Sequence, residues 1–357
     1  GIVTDTSCMF YNCNKLKFDS IVPFLQKINS VMVTNMSRMF NNVVLTNANV
    51  QTICEMYNNI PSIDILGSQS FLTDISIIEP ILDKADWTTL TDISNLFLGW
   101  SKIVNVSLLE KYDVSNITNM SSLFKGCFKL EDINGIKDWK VSKVEDMSDM
   151  FNSCDCLADL TPLKKWDVSS VKTMKGMFSA ANYSSIKTLS GLEDWDVRNV
   201  TNMQSMFHAA QGFGYSDATA KDCSALANWD VRNVTTMNYM FGGFRIEDYS
   251  CLADWDISSL TDFAYMFAHH WAVETDSERV IDLSSWDVSK VDFGRVGPFF
   301  NCKYLVEVES FKNISDTATY IGTDNNQCEM LSVDSIMSFI SNLVEVATTH
   351  ILYIGEV

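Results

Sequence analysis

The chain has 357 residues, 46% of them apolar, and its 45 acidic against 26 basic side chains leave a formal net charge of −19. That excess argues against nucleic acid or an anionic lipid surface as the main partner. No stretch approaches the ~20 uninterrupted apolar residues that a membrane-spanning helix needs.

In chain order, residues 1–40 read as partial N-terminal repeats, because two copies of a phrase set out below end at Phe10 and Phe40 without their opening Trp. No charged-then-apolar signal region opens the chain, and residues 3–10 (VTDTSCMF) fit only the second half of a repeat; the expectation is a fragment of a longer protein. The segment FDSIVPFLQKI from Phe18 matches one near the chain end, with Ser20-Ile21 corresponding to Ser335-Ile336. Residues 41–86 lack the phrase and read as irregular, more helical coils, with NVQTICEMYNNI as a longer helix.

Residues 87–310 carry the regular Trp-type repeats: WKVSKVEDMSDMF from Trp139, WDVSSVKTMKGMF from Trp166, WDVRNVTNMQSMF from Trp195, WDVRNVTTMNYMF from Trp229 and WDISSLTDFAYMF from Trp255. Weaker copies begin at Trp87, Tyr112 and Trp286. Counting from Trp as zero, apolar residues fall at −3, 0, +2, +5, +8, +11 and +12, with Cys or a small residue near +15 and Leu near +18. The spacing around Trp suits a short strand, and the spacing from +5 to +12 a short helix, with Ser142-Lys143-Val144-Glu145 in capping-box form. Trp-to-Trp spacings of 27 (139 to 166), 29 (166 to 195), 34 (195 to 229), 26 (229 to 255) and 31 (255 to 286) keep this register. The extra length falls after the Phe, at 211–215 and 269–279, so insertions are expected to protrude from one edge. Residues 311–357 read as a C-terminal coil, an amphipathic helix from about Val333 to Val346 and an apolar strand from Ile351 to Ile354.

Self-similarity of this kind means that each unit buries its apolar face only against its neighbours. The fold class is therefore an α/β solenoid of short parallel strands and short helices, one continuous array in which about ten coils at ~4.8 Å each span on the order of 50 Å. Such an array stacks Trp139, Trp166, Trp195, Trp229 and Trp255 in one column.

The phrase WDVSxVxxMxxMF joined to FxxCxxL resembles the BspA-type leucine-rich repeats of bacterial surface proteins, well over residues 85–310 and in part over 1–40. The resemblance implies a curved, right-handed leucine-rich-repeat-like solenoid and roles in adhesion to host proteins or other cells. The closing helix-and-strand unit is similar to segments in tail proteins of phages that infect gut bacteria. Residues 41–86 depart from the pattern, and Val296-Gly297-Pro298-Phe299 interrupts the final phrase.

The Met and Phe positions recur at helical spacing in every copy and read as core rather than as a binding stripe. Cys13, Cys127, Cys154 and Cys302 share one repeat position, so they read as a ladder of buried small hydrophobes, and cysteine usage leaves the compartment open. The Asp after Trp (Asp113, Asp167, Asp196, Asp230, Asp256, Asp287) reads as an Asx turn, with calcium bridging as the alternative. Triplets such as Asn116-Ile117-Thr118, Asn199-Val200-Thr201 and Asn233-Val234-Thr235 arise from the repeat itself rather than marking glycans. His269-His270-Trp271 has no second ligand at metal spacing, and no phosphate loop or nucleophile elbow appears. No enzyme, metal or cofactor is expected.

What is free to bind is the residue before Trp, solvent-type in each copy, on what is expected to be the exposed strand face. The candidate ligand-binding residues are Asp138, Lys165, Asp194, Asn228 and Asp254 in that row, with Arg198 and Arg232 as a small basic column. The function expected is a non-catalytic binding or adhesion module, extracellular, on a bacterial surface or a phage virion, recognising a protein or glycan on a host or neighbouring cell. Two alternatives stand beside it: a phage tail or fibre protein specifically, and the targeting arm of an enzyme whose catalytic domain lies elsewhere. Oligomeric state is open.

Overall fold

The computed structural model describes residues 3–28, 32–57, 63–180, 185–209, 219–268, 279–292, 297–299, 305–309 and 312–313. The insertions at 211–215 and 269–278, the helix at 333–346 and the strand at 351–354 lie outside the described residues.

Successive repeats pair in parallel at the residue before the first Met, and in some coils also ahead of the 3-10 turn, as at Asn105–Asp132 and Asp222–Asp248. Single β-bridges run Asp92–Asn119–Asp146–Thr173–Asn202–Thr236–Asp262, from each repeat to the next. Alternate amides then donate forward: Met120 N to Asp146 O (2.9 Å), Ser122 N to Ser148 O (2.8 Å) and Phe124 N to Met150 O (2.9 Å).

The Met-Phe run is not the helix its spacing predicts. Its residue at +10 is left-handed in copy after copy, with φ of 56° at Ser122 and Asp149, 62° at Gly176, 55° at Ser205 and 56° at Tyr239. A left-handed residue ends any helix, and the run becomes tight turns such as Met177 N to Met174 O (3.1 Å). A three-residue recurrence fits both arrangements; bonding to the next coil selects the turns. The capping-box residues 142–145 accordingly open no helix. Short 3-10 turns lie ahead of Trp instead: Ser107–Lys111, Asn134–Ile136, Thr161–Leu163, Ser224–Leu226 and Ser250–Leu252. The extended and helical parts of the repeat thus exchange places relative to the sequence expectation.

Corners are Asx turns. In the coil of Trp255, Asp248 Oδ1 accepts from Ser250 N (2.8 Å), Asp256 Oδ1 from Ser258 N (3.0 Å) and Asp262 Oδ1 from Ala264 N (3.0 Å). The Asp after Trp thus has its expected turn role, also at Asp113, Asp167 and Asp287. A short carboxylate satisfies an amide that no helix or strand would pair.

The core is a set of columns. In the five full copies the indole N–H reaches the carbonyl three residues before the aromatic anchor of the preceding coil: Trp139 to Leu109 (3.1 Å), Trp166 to Ile136 (3.0 Å), Trp195 to Leu163 (3.2 Å), Trp229 to Leu192 (3.0 Å) and Trp255 to Leu226 (3.1 Å). Phe rings stack from Phe97 through Phe124, Phe151, Phe178 and Phe207 to Phe241, with centroids 5.4–5.7 Å apart. The interrupted final phrase shifts the register but keeps the Phe column: Gly297 O, 11 residues after Trp286 where other coils use the ninth, accepts from Tyr265 N, and Phe299 stacks on Phe267 at 5.5 Å.

Cys127 and Cys154 are buried, and each thiol donates to a Phe carbonyl of the preceding coil (3.2 Å); burial holds both above the usual thiol range. Cys13, at the same repeat position, is exposed, and Cys302 lies outside the described residues. Trp100 and Phe244 fill this place in other coils, so it takes any apolar group of fitting volume. Cys223 and Cys251, at other positions, form a disulfide.

Helix α1 (Phe18–Leu25) precedes α2 (Asn47–Met56), which Thr46 and Asn49 close with a reciprocal capping box. Lys84 Nζ donates to the carbonyls of Cys54 and Tyr57, satisfying the end of α2. Helix α3 (Glu79–Leu82) leads into the Trp repeats. Strands β1 (Thr219–Asp222) and β2 (Arg245–Asp248) pair in parallel, as do β3 (Arg279–Asp282) and β4 (Leu305–Glu309).

Candidate functional site

The Trp, Met and Phe columns of the regular repeats are buried and leave polar rows outside, although Phe71, Val104 and Phe128 are exposed apolar side chains. The 3-10 turns end at Lys137, Lys164, Ala227 and Ala253. The next residues, Asp138, Lys165, Asn228 and Asp254, are exposed, as is Asp194 in the intervening coil. This row therefore borders the 3-10 turn and belongs to neither extended row, because the pairings lie seven residues after and seven residues before the Trp. Lys165 Nζ is 3.3 Å from Asp138 Oδ1, and Lys164 Nζ is 4.0 Å from Asp194 Oδ2. Pairs this exposed contribute at most ~1 kcal/mol.

Arg198 and Arg232 are exposed, and each donates from Nε to the Asx-turn carboxylate two residues earlier, Asp196 or Asp230, at 2.7 Å. The basic column is thus threaded through an acidic one. The amides of Asn116, Asn199 and Asn233 donate to backbone carbonyls of the preceding coil at 3.0, 2.7 and 2.8 Å, so these triplets serve stacking.

A second outward row went unrecognised in the sequence. It consists of the half-buried bridge residues Asn119, Asp146, Thr173, Asn202, Thr236 and Asp262, with their neighbours at +9 and +10. Its side chains interlock between coils: Asn119 Nδ2 to Asp92 Oδ2 (3.0 Å), Ser148 Oγ with Thr173 Oγ1 (3.0 Å) and Lys125 Nζ to Asp149 Oδ2 (2.9 Å). Toward its C-terminal end the row becomes aromatic. Tyr239 and Tyr265 stack at 4.3 Å, with His208 edge-on to Tyr239 at 5.3 Å. Burial first, then the neighbouring Tyr265, pushes the Tyr239 phenol up to about 12, so it stays a neutral hydroxyl at ordinary pH. At +10, Asp149 and Gly176 are residue types that tolerate left-handed backbone, a partial signal that Ser122, Ser205, Tyr239 and Tyr265 at the same position dilute.

Among the described residues, no group of three or more His, Cys, Asp or Glu is placed to hold a metal ion, and no helix is long and apolar enough to cross a membrane. His269, His270 and Trp271 lie outside the described residues. A family model described as "Mycoplasma protein of unknown function, DUF285" matches residues 2–59, 68–188 and 214–305. No curated protein and no solved structure matches the chain.

Proposed function

The chain belongs to the DUF285 family, and from that premise we propose that it is a non-catalytic binding and adhesion module. It is displayed outside the cell, on a bacterial surface or a phage virion, and recognises a protein or glycan on a host or neighbouring cell. In this reading the tandem repeats form a BspA-like, leucine-rich-repeat-like solenoid of about ten coils, the kind of array whose extended faces bind partners. The observation that carries the proposal is the division of labour within each repeat. Trp, Val, Met and Phe are buried in copy after copy, while the positions before Trp and around the bridge vary in charge, size and hydrogen-bonding character. Variable side chains at fixed spacing suit recognition of a repeating or extended ligand.

The test is binding of the labelled full chain to glycan panels, immobilised extracellular proteins and whole cells. Alanine at Asp138, Lys165, Asp194, Arg198, Asn228, Arg232 and Asp254 disables the first outward row; alanine at Asn202, Thr236, Tyr239 and Asp262 disables the second. Saturable binding weakened at least ~10-fold by one set, about 1.4 kcal/mol, in protein that is still folded at the assay temperature by circular dichroism, is expected. No saturable binding to any panel, or binding indifferent to both sets, overturns the proposal.

A further inference from the structure

We propose that the Cys223–Cys251 disulfide is a structural cross-link laid down as the chain folds in an oxidising compartment, fixing the coil of Trp229 to that of Trp255. It does not rest on the binding role proposed above.

The location carries the argument. Cys223 stands six residues before Trp229 and Cys251 four before Trp255. The same two positions make a close backbone approach between coils at two other places in the array. A Cβ on Gly135 would overlap the Val106 carbonyl, and one on Gly191 the Leu160 carbonyl; each pair again stands four and six residues before its own aromatic anchor. Where the coils of Trp139 and Trp195 have glycine against a carbonyl, this pair of coils has two cysteines with Cα atoms 5.7 Å apart, within disulfide range. The linked coil follows the 34-residue spacing from Trp195 to Trp229, the widest between full copies of the phrase. The bond itself closes a loop over a sequence separation of 28, and in the chain-entropy account it stabilises by removing the freedom of that loop from the unfolded state.

Burial settles when the bond forms. Cys223 is fully buried and Cys251 is 8% exposed, so neither sulfur meets a solvent oxidant once the coils have closed. During folding, the thiolate of one cysteine attacks an external disulfide, such as oxidised glutathione, and displaces one thiol. The second cysteine attacks the mixed disulfide and displaces the other. Two protein thiols become one disulfide, and the external disulfide becomes two thiols. The bond therefore records the compartment in which the chain folded, and a cytosolic thiol buffer would leave it unformed.

The test is disulfide mapping of the full chain, refolded from the reduced, denatured state with oxidised and reduced glutathione, alkylated and digested. The expected product is a linked Cys223–Cys251 peptide pair that resists dithiothreitol in the native protein and is reduced in urea. The oxidised protein should melt about 5–10 °C above the reduced one, and the C223S/C251S double variant should lose that difference. Quantitative alkylation of both cysteines after oxidative refolding, linkage of either to another cysteine, or identical melting of oxidised and reduced protein overturns the proposal.

Discussion

Replacing Trp229 by Phe tests why the repeat is anchored by tryptophan. The indole donates to Leu192 O of the preceding coil at 3.0 Å, and Trp229 is buried, its ring parallel to that of Trp195 with centroids 6.3 Å apart. Phe keeps an apolar ring but removes the donor. The lost bond costs about 0.5–1.5 kcal/mol net, at the lower end if Leu192 O keeps only its bond from Trp195 N (3.3 Å). Lost ring volume adds ~1–2 kcal/mol. The sum, about 1.5–3.5 kcal/mol, is a ~10–400-fold rise in local opening. Because a repeat array need not unfold in one step, the assay is native-state hydrogen exchange on the coils flanking Trp229. Trp87 is the control: its indole bonds within its own segment, to Leu82 O (2.9 Å), and it is only half-buried. Trp87→Phe should change exchange of its neighbours less than ~5-fold. Equal effects of the two substitutions, or exchange around Trp229 unchanged within threefold, would refute the argument that the indole N–H ties coil to coil.

Two other outcomes follow from the same geometry. The backbone hydrogen bond from Ser258 is the largest of the effects that hold the Asp256 carboxyl below its ordinary value. A carboxyl depressed in the folded state contributes stability that is present above its unfolded pKa, near 3.9, and is lost as pH falls through the lower folded value. Asp256→Asn, which can still form the Asx turn but carries no charge, should therefore melt slightly below the parent near pH 7 and converge with it below about pH 4; a difference that stays constant from pH 7 to pH 3 would contradict this. Gly135→Ala should be strongly destabilising, by at least ~2 kcal/mol, because its Cβ would strike the Val106 carbonyl, a backbone atom that cannot swing aside; a melting midpoint within 2 °C of the parent would show that the coils can separate there.

Sequence alone identified the unit, its copies and what it buries: Trp, Val, Met, Met and Phe are core because they recur while their neighbours vary. It also identified the Asx turn after Trp, since Asp two residues ahead of an unpaired amide is a local device needing no distant partner. Secondary structure within the repeat was not legible. Apolar residues three apart fit a helix or a stack of turns equally, and only hydrogen bonds to the next coil, with a left-handed residue at +10, chose the turns. The polar row at Asn119, Asp146 and Asn202 was hidden for that reason, having been read as the outer side of a helix. The indole bonds and the Cys223–Cys251 link escaped notice because each joins different repeat positions in successive coils. One-dimensional periodicity aligns like with like, whereas stacking offsets neighbouring coils and brings unlike positions together.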